Sequence, residues 1–199
     1  PARVGQIARW IALSLVPSGL MLATSTYITT DIVAMPLLWV MPLGLYLLSF
    51  TIAFADDRGP ADFLVCVAPV TILLFGGVMI GGFHVAPLFG LALALILLFM
   101  VSVALHTALY RARPAPERLT GFYLAMSVGG ALGGVFAGLV APALFDWTWE
   151  YPLLILAAGA LTPQVFLAPF VRDWWARGRG IPATVVVGLV LAALLALRQ

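Results

Sequence analysis

The stretch that decides the fold is LFGLALALILLFMVSVALHTALY, residues 88–110, which contains no Asp, Glu, Lys or Arg. A helix that crosses the hydrocarbon core of a bilayer needs about 20 predominantly apolar residues, at 1.5 Å of rise per residue. This segment is long enough and apolar enough for one crossing. It therefore predicts a transmembrane helix, and the rest of the chain can be judged by the same criterion.

The composition of the whole chain agrees with this segment. Soluble globular domains carry about a quarter charged residues, whereas this chain of 199 residues is 9% charged and 63% hydrophobic. So few charges cannot cover a surface that faces water, so the outer surface must face lipid. The alternation of apolar and polar residues that marks a membrane barrel is not seen. We therefore expect an all-α fold, a polytopic transmembrane helical bundle in the lipid bilayer.

Seven apolar runs follow one another along the chain. Each break between them contains charge, Pro or Gly, as helix ends do. We predict about seven membrane-spanning helices in a single domain that covers 1–199. The predicted helices are 10–29, 32–54, 63–82, 88–110, 120–145, 153–170 and 181–197.

The arginines predict the orientation of these helices. All ten basic residues are Arg, and with seven spans nine of them fall on one side and only Arg198 on the other. Cytoplasmic loops carry the excess of basic residues. We therefore expect a bacterial inner membrane protein with a cytoplasmic N-terminus and a periplasmic residue 199. Tryptophan rings favour the two membrane interfaces, and the predicted anchors are Trp10, Trp174 and Trp175 inside and Trp147 and Trp149 outside.

The fifth predicted helix carries an unusual number of glycines, in SVGGALGGVFAGLVAP at 127–142. In lipid there is little hydrophobic drive between helices, and small residues that let backbones approach supply the packing. The third predicted helix repeats the four-residue spacing, which suggests that the two helices are neighbours. We predict a helix-packing or partner interface, with the partner helix in this chain or in another. Its residues are Gly129, Gly130, Gly133, Gly134 and Gly138, with Gly77 and Gly81 on the third helix.

A candidate polar or solute site lies at Thr29, Thr30 and Asp31. A carboxylate within the membrane is a functional-site hypothesis, as a relay for a proton or a cation. The alternative is that Thr30 or Asp31 caps the second helix, where an anion favours the helix N-terminus. Pro36 and Pro42 follow in that helix and would bend it, and transporters use such breaks to build sites.

Other reactive side chains are few and scattered. His84 and His106 fall on opposite sides of the membrane by the predicted topology, so they cannot share a metal ion, and each is expected to be an interfacial polar residue. Cys66 is the only cysteine and is expected to be a small buried hydrophobe. No nucleophile with a base and no phosphate-binding loop is visible. We therefore predict no enzyme activity, no cofactor, no metal and no nucleic-acid partner.

Three segments resemble a known family. They are YITTDIVAMPLLWVMPLGLYLLSF at 27–50, LHTALYRARPAPERLTGFYLAMSVGGALGG at 105–134, and LVAPALF with WEYPL at 139–153. They look like the membrane region of bacterial fused major-facilitator/spermidine-synthase proteins. The resemblance implies a transporter-like helical module that is followed, in the family, by a Rossmann-type aminopropyltransferase-like domain. It supplies no substrate for the membrane region.

The chain departs from the family pattern at polar positions of the fifth helix. The family commonly has an acidic residue before FYL, where this chain has Gly121, and an Asn before LVAP, where this chain has Ala137 and Gly138. These replacements remove a carboxylate and an amide that a solute site would use. Polyamine synthesis is not expected of this segment, because the family's synthase domain lies outside it.

Three hypotheses about the function of the chain remain. The sequence favours a non-catalytic membrane subunit or module that packs through glycine-rich helices within a larger membrane assembly, with other transmembrane helices or subunits as partners. The alternative is a transporter-like module for a small solute, with a cation as one candidate and Asp31 in its site. A third alternative is that the chain is the membrane part of a longer fused spermidine-synthase-like protein.

Overall fold

The computed structural model describes residues 4–32, 38–81, 86–145 and 149–163, and these are helical apart from short connections. The all-α prediction is therefore confirmed for this part of the chain. The α-helices are α1 Val4–Tyr27, α2 Val40–Ala53, α3 Gly59–Ile80, α4 Pro87–Arg111, α5 Leu119–Val135, α6 Ala141–Leu144 and α7 Glu150–Leu161. Wider π-helical turns, Ile28–Ile32 and Phe136–Val140, extend α1 and join α5 to α6, and a 3₁₀ turn, Pro116–Arg118, precedes α5.

Four helical segments are long and apolar enough to cross a membrane, which fits a membrane protein. They are Val4–Thr30, Gly59–Ile80, Pro87–Arg111 and Pro116–Leu144. The prediction of about seven spans is not supported. In place of the predicted helices 32–54 and 153–170 the described residues form α2, with 14 residues, and α7, with 12. At 1.5 Å per residue these are about 21 Å and 18 Å long, shorter than the hydrocarbon core of about 30 Å. The predicted seventh helix, 181–197, lies outside the described residues.

The shortness of α2 has a local cause. The residues around Thr29 and Thr30, which the sequence places between two helices, continue α1 through the turn Ile28–Ile32. The helix α2 begins only at Val40, with Trp39 as its N-cap residue. Pro42 therefore lies in the first turn of α2, where its missing N–H has no helical partner to lose. The predicted bend at Pro42 is wrong for this reason, and Pro36 lies outside the described residues.

The helix α4 is the centre of the bundle and packs against α1, α2, α3 and α7. Nearly every side chain between Leu93 and Leu109 is buried, including Leu97, Val101 and Leu105. Because most sides of this stretch meet other helices and the rest exposes Ile96, the apolar run has no polar face. This explains why a continuous run, rather than an amphipathic one, codes for the central helix.

The helices run alternately up and down, so one end of the bundle collects the start of α1, the end of α2, the start of α3, the end of α4 and the start of α5. The Trp10 indole N–H donates to the Ala112 carbonyl oxygen at 3.0 Å, which ties the start of α1 to the end of α4. We call this end the arginine end, because the five arginines within the described residues lie at or beside it: Arg9, Arg58, Arg111, Arg113 and Arg118.

The structure also places two of the predicted tryptophan anchors. Trp10 is at the arginine end but is only 2% exposed, and its ring meets Phe122 edge to face at a centroid distance of 5.2 Å. It therefore joins helices α1, α4 and α5. Trp149 is exposed beside the start of α7, at the opposite end. Trp147, Trp174 and Trp175 lie outside the described residues.

Candidate functional site

The structure places the predicted polar site at the end of α1. The Thr29 hydroxyl donates to the backbone oxygens of Ser25 and Thr26, both at 3.0 Å, and the Thr30 hydroxyl donates to the Thr26 oxygen at 2.8 Å. Both hydroxyl protons are therefore used within the helix itself, although each oxygen can still accept a hydrogen bond. Asp31 lies in the same turn, and since α2 begins at Val40, neither Thr30 nor Asp31 caps that helix.

Two of the predicted glycines bring α5 directly against α1. A Cβ added at Gly129 would meet the Ile11 carbonyl oxygen and lie 2.8 Å from the Ser14 Cβ. A Cβ added at Gly133 would meet the Leu15 carbonyl oxygen and lie 2.8 Å from the Gly19 nitrogen. Because real Cβ atoms do not approach other atoms this closely, only glycine allows this contact. The partner helix of the Gly129 and Gly133 pair is thus in the same chain, and the two helices run parallel.

The neighbouring glycines of α5 behave differently. A Cβ added at Gly130 or Gly134 would meet nothing within 4 Å, and one at Gly138 would lie 3.0 Å from the Leu22 Cδ2. The first two positions are therefore not required to be glycine by any contact with the described residues.

The suggestion that α5 touches α3 is wrong, because α5 packs on α1 while α3 packs on α4 and α7. Gly77 and Gly81 are half-buried on α3. The close contact on α3 is made instead by Gly76, where an added Cβ would lie 2.8 Å from the Ile155 Cγ2 of α7. The four-residue spacing did not single out this glycine.

The centre of the bundle contains a polar site that the sequence did not assign. His106, in the last two turns of α4, is 0% exposed, although the sequence predicts an interfacial residue. Its Nδ1 lies 2.8 Å from the Ser49 hydroxyl oxygen of α2. The His106 ring also stacks on Phe50, with ring centroids 3.6 Å apart, and meets Tyr46 edge to face at 5.2 Å. The prediction for His106 is wrong because α2 covers this side of α4.

The hydrogen bonds of Ser49 favour one tautomer of a neutral His106 ring. The Ser49 hydroxyl donates to the Tyr46 carbonyl oxygen at 2.6 Å, and a hydroxyl has only one proton to give. The favoured tautomer is the one whose Nδ1–H donates to the Ser49 oxygen, because the other would require Ser49 to share its proton between two acceptors. The Nε2 atom is left with a lone pair, and it is buried without a hydrogen-bond partner among the described residues.

Further buried hydroxyls lie on the same helices. Ser102 and Thr107 of α4 are fully buried, and their hydroxyl oxygens have no partner in the part of the chain that the structure describes. Ser102 lies four residues before His106, so the two side chains share one face of α4. A sequence signal for the site therefore exists, since a Ser and a His at this spacing inside an apolar run point to one side of the helix.

A second set of polar contacts connects α1 with its neighbours. The Ser18 hydroxyl donates to the Gly130 carbonyl oxygen of α5 at 2.8 Å. The Tyr46 side chain of α2 also interacts with Ser18. Ser18 thus connects polar groups of α5, α1 and α2, and the Tyr46 ring meets the His106 ring of α4 edge to face.

Metal-ligating side chains are scattered in the part of the chain that the structure describes. No set of three or more His, Cys, Asp or Glu residues within the described ranges is placed to hold a metal ion. Cys66 is half-buried on α3 and carries a free thiol. No protein-family model matches the chain, and the comparisons with curated proteins and with solved structures also give no match.

Proposed function

We propose that the chain is a non-catalytic, multi-pass membrane module that packs into a larger membrane assembly through the open side of α5. The observation that carries this proposal is the difference between the two glycine pairs of one helix. Gly129 and Gly133 are closed against α1, whereas Gly130 and Gly134 meet nothing within 4 Å. A glycine in a helix interior costs about 1 kcal/mol relative to alanine. The presence of glycine at both open positions therefore indicates a contact with something outside the described residues.

The residues that flank the open glycines divide the free side of α5 into two strips. At 3.6 residues per turn, Ser127, Gly130, Ala131 and Gly134 fall on one strip, which we call the small-residue face. Large apolar residues fall on the strip beside it and are exposed: Val128, Leu132, Val135 and Leu139. Lipid tails solvate large apolar side chains well, whereas small residues favour close approach of another helix. The small-residue face is thus the better contact surface for a partner helix.

The experiment compares glycines of one helix. The double variant Gly130→Leu with Gly134→Leu fills the small-residue face. Gly121→Leu serves as the control, because a Cβ added at Gly121 also meets nothing within 4 Å. Each protein is extracted from its native membrane in lipid particles and its mass is measured. We expect the native mass of the wild type and of the control to exceed the denatured mass of the same polypeptide, and the double variant to lose that excess. An equal mass for all three refutes the proposal.

We also propose an orientation of the bundle in the membrane. We place the chain in a bacterial inner membrane with the arginine end in the cytoplasm, because cytoplasmic loops carry the excess of basic residues. With Cys66→Ser as background, Ala115→Cys reports on the arginine end and Ala86→Cys on the opposite end. A membrane-impermeant maleimide added to intact spheroplasts should label only Ala86→Cys. Labelling of Ala115→Cys alone would reverse the orientation.

We also propose that the chain has the architecture of the family that it resembles. It is supported by the segments around 27–50 and 105–134, and it makes the bundle the membrane part of a longer fused spermidine-synthase-like protein. The mass of the intact polypeptide in the source cell tests it. A denatured mass far above 21.2 kDa is expected, and a mass at that value contradicts it.

A transporter-like module is the second candidate function, and the buried ring of His106 favours it. A polar residue that is only half satisfied inside an apolar bundle is costly, and such residues mark solute and proton pathways. The proposed solute site is therefore at His106 rather than at Asp31. In proteoliposomes with methylammonium as probe, His106→Leu should abolish uptake and Asp31→Asn should retain it. Uptake that survives His106→Leu, or no uptake by the wild type, removes this candidate.

A further inference from the structure

Two guanidinium groups at the arginine end share one aromatic ring. The guanidinium carbon of Arg58 lies 4.2 Å from the ring centroid of Tyr110, and that of Arg113 lies 3.8 Å from the same centroid. The two guanidinium carbons are therefore no farther apart than the sum of these two distances. Each gains from the negative face of the ring, but two like charges at this separation repel each other. An anion that contacts both would remove that repulsion.

The nearby carboxylates do not neutralise this pair. Asp62 forms its ion pair with Arg111, at 2.8 Å. Asp57 accepts a hydrogen bond from the Gly59 N–H at 3.0 Å, and Asp56 is exposed in the same loop. Across the described residues, no ion pair includes Arg58 or Arg113.

Arg58 is held in position and still has donors to give. Its Nη1 donates to the carbonyl oxygens of Ala53 at 2.6 Å and Ala55 at 3.3 Å, which fixes the side chain at the end of α2. Its Nη2 is buried and has no partner among the described residues. A buried guanidinium N–H without an acceptor is costly. A phosphate oxygen is the acceptor that the planar fork of Arg fits best, and it reaches Nη2 when the guanidinium turns outward.

The surroundings are those of a lipid rather than of a free anion. The cluster lies where α2 and α4 end and α3 begins, and the ends of membrane helices lie near the headgroups. The helices α2 and α3, which meet at the cluster, expose the apolar side chains of Leu47, Leu48 and Phe63. A molecule with a phosphate next to long acyl chains fits both features.

We propose that Arg58 and Arg113, the two arginines that share the Tyr110 ring, bind the phosphate of an anionic phospholipid headgroup. The lipid neutralises the two guanidinium groups, accepts hydrogen bonds from them, and lays its acyl chains along the exposed apolar residues of α2 and α3. Basic pockets at helix ends bind anionic headgroups by this chemistry. The site is independent of the small-residue face of α5, since it lies on other helices.

The test measures lipid selectivity. The protein is titrated in detergent with phosphatidylglycerol or with phosphatidylcholine, and bound lipid is counted by native mass spectrometry. The variants are Arg58→Gln, Arg113→Gln and the two together. Arg118→Gln is the control, because Arg118 is at the same end of the bundle but is not one of the two arginines that lie over the Tyr110 ring. Each basic group near an anionic membrane surface contributes enough to change binding about fivefold.

We expect each single variant to bind phosphatidylglycerol about fivefold more weakly, and the double variant to lose its preference over phosphatidylcholine. Arg113→Gln keeps the Arg58 bonds to the end of α2, so its helical circular dichroism should match the wild type. The proposal is overturned by unchanged selectivity in the double variant or by an equal loss in Arg118→Gln. Displacement of the lipid by millimolar inorganic phosphate would show a site for free phosphate and would overturn it as well.

Discussion

Alanine at the glycines of α5 should have opposite effects at adjacent positions. At Gly133 the new Cβ would meet the Leu15 carbonyl oxygen and lie 2.8 Å from the Gly19 nitrogen, and both are backbone atoms that cannot rotate away. Helices α1 and α5 must therefore separate. Overpacking of this kind costs about 1–3 kcal/mol. At Gly130 and Gly134 the Cβ meets nothing within 4 Å.

The separation also weakens the hydrogen bond from the Ser18 hydroxyl to the Gly130 carbonyl oxygen, and such bonds between membrane helices contribute about 0.6 kcal/mol on average. For Gly133→Ala we therefore expect a loss of about 2–4 kcal/mol in the free energy of unfolding. The same reasoning gives a loss for Gly129→Ala. For Gly130→Ala and Gly134→Ala we expect no loss, or a gain of up to about 1 kcal/mol from helix propensity.

The assay is reversible unfolding in mixed micelles, followed by helical circular dichroism. All four variants remove one glycine from the same helix and add one methyl group, so each pair is the matched control of the other. Equal changes at all four positions would refute the packing of α1 on α5. A larger loss at Gly130 than at Gly133 would mean that the two sides of α5 have been exchanged.

Three more predictions can be checked by the same unfolding assay. Ser49→Ala removes the acceptor of the His106 Nδ1–H and should lower the free energy of unfolding by about 1–3 kcal/mol. His106→Leu removes the donor itself and should lower it by less. The reverse order would refute the assigned tautomer. Gly76→Val should destabilise by about 1–3 kcal/mol, because its added carbon would lie 2.8 Å from the Ile155 Cγ2; a wild-type midpoint contradicts the contact of α3 with α7. Asp62→Asn should change stability by less than about 1 kcal/mol, since the ion pair with Arg111 is half exposed; a larger loss would show a buried pair.

The sequence predicted the helical class well because length and apolarity are local properties. A run such as 88–110 needs no knowledge of its neighbours to be recognised as a membrane helix, and the structure places α4 there. The predicted number of spans is not supported, because the limits of a helix depend on the conformation of the residues that flank the apolar run. Residues around Thr29 continue α1, and α2 begins only after Trp39.

The glycine spacing predicted that α5 has a packing surface, but not which side of the helix packs on another helix of the chain. Gly129 and Gly133 have the same four-residue spacing as Gly130 and Gly134, and the two pairs differ by one residue, or about 100° around the helix. Only the position of α1 decides which pair is closed. The same limit applies to His106, whose burial depends on the placement of Ser49 and Phe50 on α2.

The most direct test of the central claim is cysteine crosslinking from the free side of α5 in native membranes. In a Cys66→Ser background, Ala131→Cys lies on the small-residue face, and Leu132→Cys lies on the exposed apolar strip beside it. A short bifunctional reagent should give an adduct heavier than the chain from Ala131→Cys and none from Leu132→Cys. The same yield from both positions, or an adduct from Leu132→Cys alone, would contradict the assignment of the small-residue face as the contact surface for a partner helix.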